Sequence, residues 1–184
     1  MMCKKFEFLL NMFLIIFLAR EAISRVDFKN IKCESVDKQF CRFDTCALKS
    51  VNRSYKYLTV YVKLFKLPVS DVKVDFGLYQ RLNGYKPFLY NFTVDACKFF
   101  KNQKSNPVGS YFYEFFRETS NLKYSCPYNH DIVVDKVSTE LFNHRLTKIL
   151  PFPEGEYMVQ MNWHAYGINR GIFKIYFALS TPIL

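Results

Sequence analysis

Apolar side chains occur at every second position over long stretches of this chain. The segments 57–64 and 71–78 show the pattern clearly, with tyrosine, threonine, lysine, aspartate or glycine at the intervening positions. A period of two is typical of β-strands that bury one face and expose the other. Both segments are therefore predicted to be strands, and their inward residues are Leu58, Val60, Val62, Leu64, Val72, Val74, Phe76 and Leu78. Asn83-Gly84 then marks a turn.

Three later segments extend the β pattern. Residues 131–137 favour a strand, and residues 156–166 and 171–180 are expected to form a final pair of strands. Residues 140–153, between the first of these strands and the final pair, are expected to form a loop with one helical turn. The final pair directs six side chains inward, which are Val159, Met161, Trp163, Phe173, Ile175 and Phe177.

A glycosylation acceptor sets the register of one further strand. Asn91-Phe92-Thr93 is an acceptor sequence, and an attached sugar must lie in solvent. Because a strand sends alternate side chains to opposite faces, Leu89 and Thr93 are expected to point outward with Asn91. The inward set is then Phe88, Tyr90, Phe92 and Val94. A second acceptor, at Asn52, falls in a predicted turn.

Between Cys97 and Cys126, the spacing of the apolar residues changes from alternation to a helical period. Asn106 is suited to cap a helix that has Pro107 at its first position. Helical spacing follows, and it predicts a short helix ending near residue 121, with an apolar stripe of Val108, Tyr111, Phe112, Phe115, Phe116 and Thr119. About eight strands and one short helix between the two cysteines predict a mainly β protein, a two-sheet antiparallel β-sandwich of the immunoglobulin-like kind.

The amino-terminal residues are typical of a secretory signal peptide. Lys4 and Lys5 precede an apolar run over residues 8–18, and small residues suited to cleavage follow it. We expect a signal peptide over residues 1–24, with cleavage after Ser24, and a single domain over residues 25–184. The chain carries a net charge of +10. A net positive charge favours anionic membrane surfaces or acidic glycans as partners. The predicted secretion argues against nucleic acid as a partner.

Cysteine usage fits a compartment that permits disulfides. Five cysteines follow the predicted leader, so at most two bridges form within the chain and one thiol is left over. No CxxC pair is present, which argues against zinc-ribbon and thioredoxin-like sites.

Motifs that carry catalytic chemistry are missing from the sequence. It contains no GxSxG, HExxH or P-loop pattern and no paired carboxylates at a recognisable spacing. The three histidines, His130, His144 and His164, are expected to be surface or hydrogen-bonded residues. We therefore expect no enzyme activity, no cofactor and no metal.

Several motifs in order resemble a large insect family of small secreted proteins of unknown function. They are "NIKCESVDKQF", "CALKSVNRSYKYL", "GLYQRLNGYKPFLYNFTVDACKF", "SCPYNHD" and "LPFPEGEYMVQMNW". That family is similar to the ML lipid-recognition superfamily, alongside ganglioside-activator proteins and chemosensory proteins of fly taste hairs. Cys41 departs from the pattern expected of most members.

The resemblance implies an ML-type sandwich that opens between its sheets to admit an apolar ligand. Large rings fill cores, but they also line ligand chambers, and aromatic residues make up 18% of the chain. The residues expected to line the cavity are Leu58, Val60, Val74, Phe76, Leu78, Phe88, Tyr90, Phe92, Phe112, Phe115, Phe116, Met161, Trp163, Phe173, Ile175 and Phe177. The three helix phenylalanines are expected at its mouth or wall. In a solid-core protein they would instead cover an open sheet edge.

Two disulfide patterns are compatible with the sequence. In the favoured one, Cys33 pairs with Cys46 and closes a hairpin, while Cys97 pairs with Cys126 and clamps both ends of the helical insertion. In the alternative, Cys41 pairs with Cys46, as in some lipid-recognition relatives, and Cys33 is left over.

The sequence thus predicts a secreted, N-glycosylated, extracellular protein that binds a lipid, sterol or cuticular pheromone, with a chemosensory role. An extracellular receptor and an anionic membrane surface are further candidate partners. The alternative is an extracellular module with a solid core, whose outward Tyr57, Tyr61 and basic residues meet a protein or a glycan.

Overall fold

A computed structural model describes residues 25–52, 55–149 and 152–180 of the chain. The predicted signal peptide over residues 1–24 lies outside these ranges. Residues 53 and 54, which complete the acceptor sequence at Asn52, lie outside them as well. Within the described ranges, no helix is long and apolar enough to cross a membrane.

The larger sheet has five antiparallel strands. Their spatial order is β1-β8-β7-β4-β5. The strands are β1 (Arg25–Ser35), β4 (Val72–Leu82), β5 (Gly84–Asp95), β7 (Gly155–Ala165) and β8 (Ile168–Ser180). The predicted turn between β4 and β5 is present, and Gly84 takes a φ of 89°, which glycine adopts without steric cost.

The smaller sheet has three antiparallel strands in the order β2-β3-β6. They are β2 (Cys41–Ser50), β3 (Lys56–Leu64) and β6 (Ile132–Ser138). The described residues therefore form eight strands in two antiparallel sheets, which confirms the predicted β-sandwich fold class.

Alternation along the strands places the apolar faces of both sheets toward each other. Leu58, Val60 and Val62 of β3 are buried, while Lys63 of the same strand is exposed. On β8 the same alternation buries Phe173, Ile175, Phe177 and Leu179. The predicted inward parity of these strands is confirmed, and the core lies between the sheets.

The insertion between β5 and β6 holds two short helices rather than one. Helix α1 (Ala96–Lys101) follows β5 directly, and a 3₁₀ turn (Gln103–Ser105) leads to α2 (Pro107–Tyr113). The predicted cap is present, since Asn106 Oδ1 accepts a hydrogen bond of 2.8 Å from the Gly109 amide. Helix α2 ends at Tyr113, earlier than the expected residue 121.

The early end of α2 has a physical reason in the following residues. The Asn121 amide donates to the Val133 carbonyl at 3.1 Å, and the Asp135 amide donates to the Thr119 carbonyl at 2.7 Å. Residues 119–121 therefore run along β6 and satisfy backbone groups on its free edge, which a continuing helix would leave unpaired.

The segment after β6 is more helical than the single turn predicted. Helix α3 (Thr139–His144) begins directly after β6, and a π-helical turn (Arg145–Ile149) continues it. The Ser138 hydroxyl caps α3 by accepting from the Leu141 amide. Apolar positions Leu141, Phe142 and Leu146 pack against the core.

The favoured disulfide pattern is present. Cys33 is bonded to Cys46, and Cys97 is bonded to Cys126. The expected hairpin is wrong, however, because β1 and β2 belong to different sheets. The first disulfide therefore links the two sheets, which fits an oxidising compartment such as the extracellular space or the lysosomal lumen.

Cys41 carries the remaining thiol within the described residues. Its side chain is buried, and its sulfur lies 3.4 Å from the Arg170 carbonyl oxygen. Burial raises the pKa of this thiol, and the nearby Asp37 carboxylate adds to the rise. Cys41 therefore serves as a small buried apolar side chain.

Candidate ligand-binding cavity

A cavity of about 190 Å³ lies between the two sheets. Strands of both sheets and the helical segments contribute to its wall, and none of the described residues that line it carries a charged side chain. Such a surface offers hydrocarbon contacts and very few hydrogen bonds. Apolar cavities of this kind hold apolar molecules better than they hold water.

Rings from three elements meet on one side of the cavity. The ring centroids of Phe76 on β4 and Phe112 on α2 are 4.2 Å apart, and that of Phe92 on β5 is 5.1 Å from Phe76. Helix α2 thereby brings a phenylalanine onto the inner face of the larger sheet. This follows from the helical spacing of its apolar positions.

A second group of rings continues the wall toward α3. The ring of Phe115 lies 6.0 Å from Phe112 and 4.5 Å from Phe142. Phe142 lies 6.1 Å from Phe177 of β8. These rings form a continuous aromatic wall beside the space between the sheets, and Phe112, Phe115 and Phe116 belong to that wall.

Most residues predicted to line a cavity are brought together around this one. The residues so placed are Leu58, Val60, Val74, Phe76, Leu78, Phe92, Phe112, Phe115, Phe116, Met161, Trp163, Phe173, Ile175 and Phe177. Their binding of a ligand stays a prediction.

Phe88 and Tyr90, which belong to the predicted lining, are not among the residues around this cavity. Tyr79 pairs with Pro87 and Gly77 pairs with Asn91, so three residues of β5 lie opposite Leu78 alone. This bulge moves the inward side chains of β5 along the sheet. The ring of Phe88 lies 5.6 Å from Tyr157, and that of Tyr90 lies 5.3 Å from Phe112.

Many lining residues were absent from the predicted set. Four of them are strand residues that are predicted to point inward but are not part of the predicted lining, namely Val62, Val72, Val94 and Val159. The others come mainly from helices and loops, where a period of two gives no signal. These are Phe43, Ala96, Phe99, Phe100, Gly109, Tyr113, Leu122, Tyr128, Ile132, Val134, Val137, Phe142, Leu146 and Phe152.

Two tyrosines supply phenol groups to the cavity wall. The Tyr113 hydroxyl donates a hydrogen bond of 2.6 Å to the Leu122 carbonyl. The Tyr128 hydroxyl is buried and has no hydrogen-bond partner among the described residues. Burial raises the pKa of Tyr128, and the neighbouring Tyr113 phenol adds to the rise, so the group stays protonated near neutral pH.

The predicted glycosylation positions lie on the outside. Asn91 is exposed on β5, as its parity predicts, and Leu89 beside it is 68% exposed. Thr93 also faces outward, where its hydroxyl donates to Asp75 at 2.6 Å. Asn52 is exposed at the turn between β2 and β3. A glycan at either asparagine would therefore not enter the cavity.

The three histidines lie away from the cavity lining. His164 Nε2 is 2.8 Å from an oxygen of Asp75 on the outer face of the larger sheet. His130 Nδ1 lies 2.9 Å from the Asp131 carbonyl oxygen, and His144 ends α3. No cluster of three metal-binding side chains occurs in the part of the chain that the structure describes.

Comparison with known proteins gives structural similarities and a family similarity. No protein with a curated description matches the sequence. The fold is similar to the crystal structure of a Niemann-Pick type C2 protein from the Japanese carpenter ant. The sequence identity is 12%, the match covers 84% of this chain and 90% of that one, and the TM-score is 0.29.

The family similarity covers the middle of the chain. It begins in β4 at Val74, includes the helical insertion and β6, and ends in β7 at Val159. The expected link to ML proteins of taste hairs stays a prediction. Over residues 74–159, the chain is similar to the family described as "Protein of unknown function (DUF1091)".

Proposed function

We propose that this chain is a secreted binding protein that holds an apolar small molecule between its two sheets. The ligand is a lipid, a sterol or a cuticular pheromone, and a chemosensory role belongs to the same proposal. Binding involves no covalent chemistry. The two disulfides and the exposed Asn91 support secretion of the protein.

The cavity of about 190 Å³ is the observation that carries the proposal. Protein interiors are ordinarily packed with few voids larger than a water molecule. This void has rings on one side and aliphatic strand residues on the other. It therefore offers water few hydrogen-bond partners. Hydrocarbon transferred into it from water gains roughly 25 cal/mol for each Å² buried.

An empty cavity would also weaken the fold. At roughly 24 cal/mol per Å³ of unfilled volume, a cavity of about 190 Å³ corresponds to a loss on the order of 4 to 5 kcal/mol. That is a large part of the 5 to 15 kcal/mol by which folded domains are typically stable. An occupant of the cavity would restore part of this stability.

The cavity volume favours slim ligands. An engineered cavity of about 150 Å³ binds benzene, and this cavity is only moderately larger. A single hydrocarbon chain or a small ring fits such a space. A fused-ring sterol requires the sheets to separate further, so we rank an acyl chain or a short pheromone above a sterol.

The alternative, an interaction module with a solid core, has less support. Tyr61, one of the outward tyrosines in that alternative, donates its hydroxyl to Asp131 at 2.5 Å and so takes part in the fold itself. The basic residues are distributed over several strands, and some of them are paired, as Lys56 is with Asp27 at 2.6 Å.

Native mass spectrometry tests the proposal. The glycosylated protein is expressed in insect cells and purified, and its bound molecules are identified after organic extraction. We expect a co-purifying apolar molecule that is lost in Phe92→Arg, because Phe92 lines the cavity.

Leu89→Arg is the matched control, because it places the same charge on the outer face of the same strand. This variant should keep the bound molecule. Wild-type protein that carries no apolar molecule, and takes none up from a lipid extract, would contradict the proposal and favour an interaction module.

A further inference from the structure

The backbone of Tyr128 is held in place from two directions. Its amide donates to the Val69 carbonyl at 2.8 Å, and the Val69 amide donates back at 2.9 Å. Cys126, two residues before it, is tied to Cys97 by a disulfide. These bonds fix the backbone from which the Tyr128 side chain projects. Its side chain lines the large cavity and also a smaller one of about 40 Å³.

The Tyr128 hydroxyl differs from the other tyrosine hydroxyls near the core. Those of Tyr111, Tyr113 and Tyr157 donate to the carbonyls of residues 145, 122 and 153, at 3.0, 2.6 and 2.7 Å. Tyr128 is 4% exposed, and its hydroxyl has no partner among the described residues. Among the described residues that line the large cavity, Tyr128 is the only one with a buried polar side-chain atom that lacks a partner.

An unpaired buried hydroxyl is unfavourable, because water's hydrogen bonds are lost and nothing replaces them. We propose that the ligand of this cavity carries one neutral oxygen, in a hydroxyl or a carbonyl group, and that this oxygen hydrogen-bonds to Tyr128 Oη. The inference rests on the proposed function, since it names the ligand class of the same cavity.

The chemistry of the wall restricts that oxygen to a neutral group. The described lining residues include no charged side chain, so a carboxylate or an ammonium group would be buried among them without a counter-ion. The protonated phenol can donate to a carbonyl and can donate to or accept from a hydroxyl. An alcohol, ketone or aldehyde on a hydrocarbon chain meets both conditions.

The experiment compares 1-octanol, 2-octanone and n-nonane, which have the same number of non-hydrogen atoms. Binding to the lipid-extracted protein is followed by the fluorescence of Trp163, the single tryptophan of the chain, which lines the cavity. We expect Tyr128→Phe to weaken binding of the alcohol and the ketone by about 5- to 10-fold, the effect of one lost hydrogen bond. Binding of n-nonane should not weaken.

Tyr113→Phe is the matched control, because its phenol lines the same cavity but already donates to a backbone carbonyl. It should change the three affinities equally. A Tyr128→Phe variant that also affects all three ligands equally would overturn the inference and leave the proposed function standing. Failure of every ligand to bind the wild-type protein would instead overturn the proposed function.

A second measurement needs no variant. The infrared carbonyl stretch of 2-octanone bound to the wild-type protein should lie at lower wavenumber than in hexane, because a hydrogen bond weakens the C=O bond. A stretch at the hexane position would overturn the inference.

Discussion

Single residues decide how polar the cavity is, and Tyr128 is the clearest case. Its unpaired hydroxyl should destabilise the ligand-free protein, because a buried polar group without a partner costs about 1 to 3 kcal/mol. We therefore expect Tyr128→Phe to raise the free energy of unfolding of lipid-extracted protein by about 1 to 2 kcal/mol in urea titrations. The same change at Tyr113 should lower it. A loss of stability in Tyr128→Phe would mean that the hydroxyl has a partner in the native state.

The sequence predicts which face of a strand each side chain lies on, but it does not predict which side chains line the cavity. The alternation in β3, β4, β7 and β8 set the inward faces correctly, because a strand has only two faces. Whether an inward side chain meets a void or another ring depends on the bulge opposite Leu78 and on packing between sheets. Tyr128 lies in a loop with no periodicity, so no pattern in the sequence points to its hydroxyl.

Between elements, the disulfide from Cys33 on β1 to Cys46 on β2 joins the two sheets. Replacing both cysteines with serine should lower the free energy of unfolding by about 3 kcal/mol, because the unfolded chain regains the entropy of a short closed loop. Chemical denaturation of the double variant measures the loss. Cys41→Ser is the control for thiol removal alone and should cost less than the double variant. Equal losses in both would contradict a crosslinking role.

A carboxylate links β3 to the start of β6. Asp131 accepts hydrogen bonds from the Tyr61 hydroxyl at 2.5 Å and from the Leu64 amide at 2.8 Å. Chiefly the Tyr61 hydroxyl, and next the Leu64 amide, hold the pKa of this carboxyl below its usual range. Its contribution to stability is therefore present above the unfolded-state pKa of about 3.9 and is lost as the pH falls through the lower folded-state value.

Asp131→Asn tests this link, because the amide keeps the shape but not the charge. The variant should be less stable at neutral pH, and the difference from wild type should shrink as the pH falls below about 4. Urea titrations between neutral and acidic pH measure it. Glu118→Gln, at an exposed residue, is the control and should match the wild type throughout. A constant difference at every pH would rule out the carboxylate as the cause.

The helical insertion illustrates what the sequence can predict for an element. The Asn106 cap and Pro107 set the start of α2 correctly, since both are local features. The end of α2 depends on the backbone pairing of residues 119–121 with β6, which is not local. The helix phenylalanines line the cavity. Residues 119–121, rather than these rings, pair with the β6 edge.

For the whole molecule, the main expectation is that occupancy of the cavity and stability are linked. Removing the bound molecule by organic extraction should lower the melting temperature, and adding 1-octanol back should raise it with concentration, because a ligand that binds only the folded state stabilises that state. Differential scanning calorimetry checks both effects. A cavity-filling variant, Val134→Phe, should reduce the response to added ligand, since Val134 lines the cavity. A melting temperature that changes neither on extraction nor on addition of ligand would argue for a fully packed core without a ligand cavity.

The most direct measurement is a crystal structure of lipid-extracted protein soaked with 1-bromooctane, with anomalous data collected at the bromine edge. We expect a bromine peak between the sheets, within contact distance of Phe76 and Phe112, because the hydrocarbon chain should occupy the cavity that these rings line. Sheets packed against each other with no space between them, or bromine peaks only on the outer surface, would contradict a ligand-binding interior.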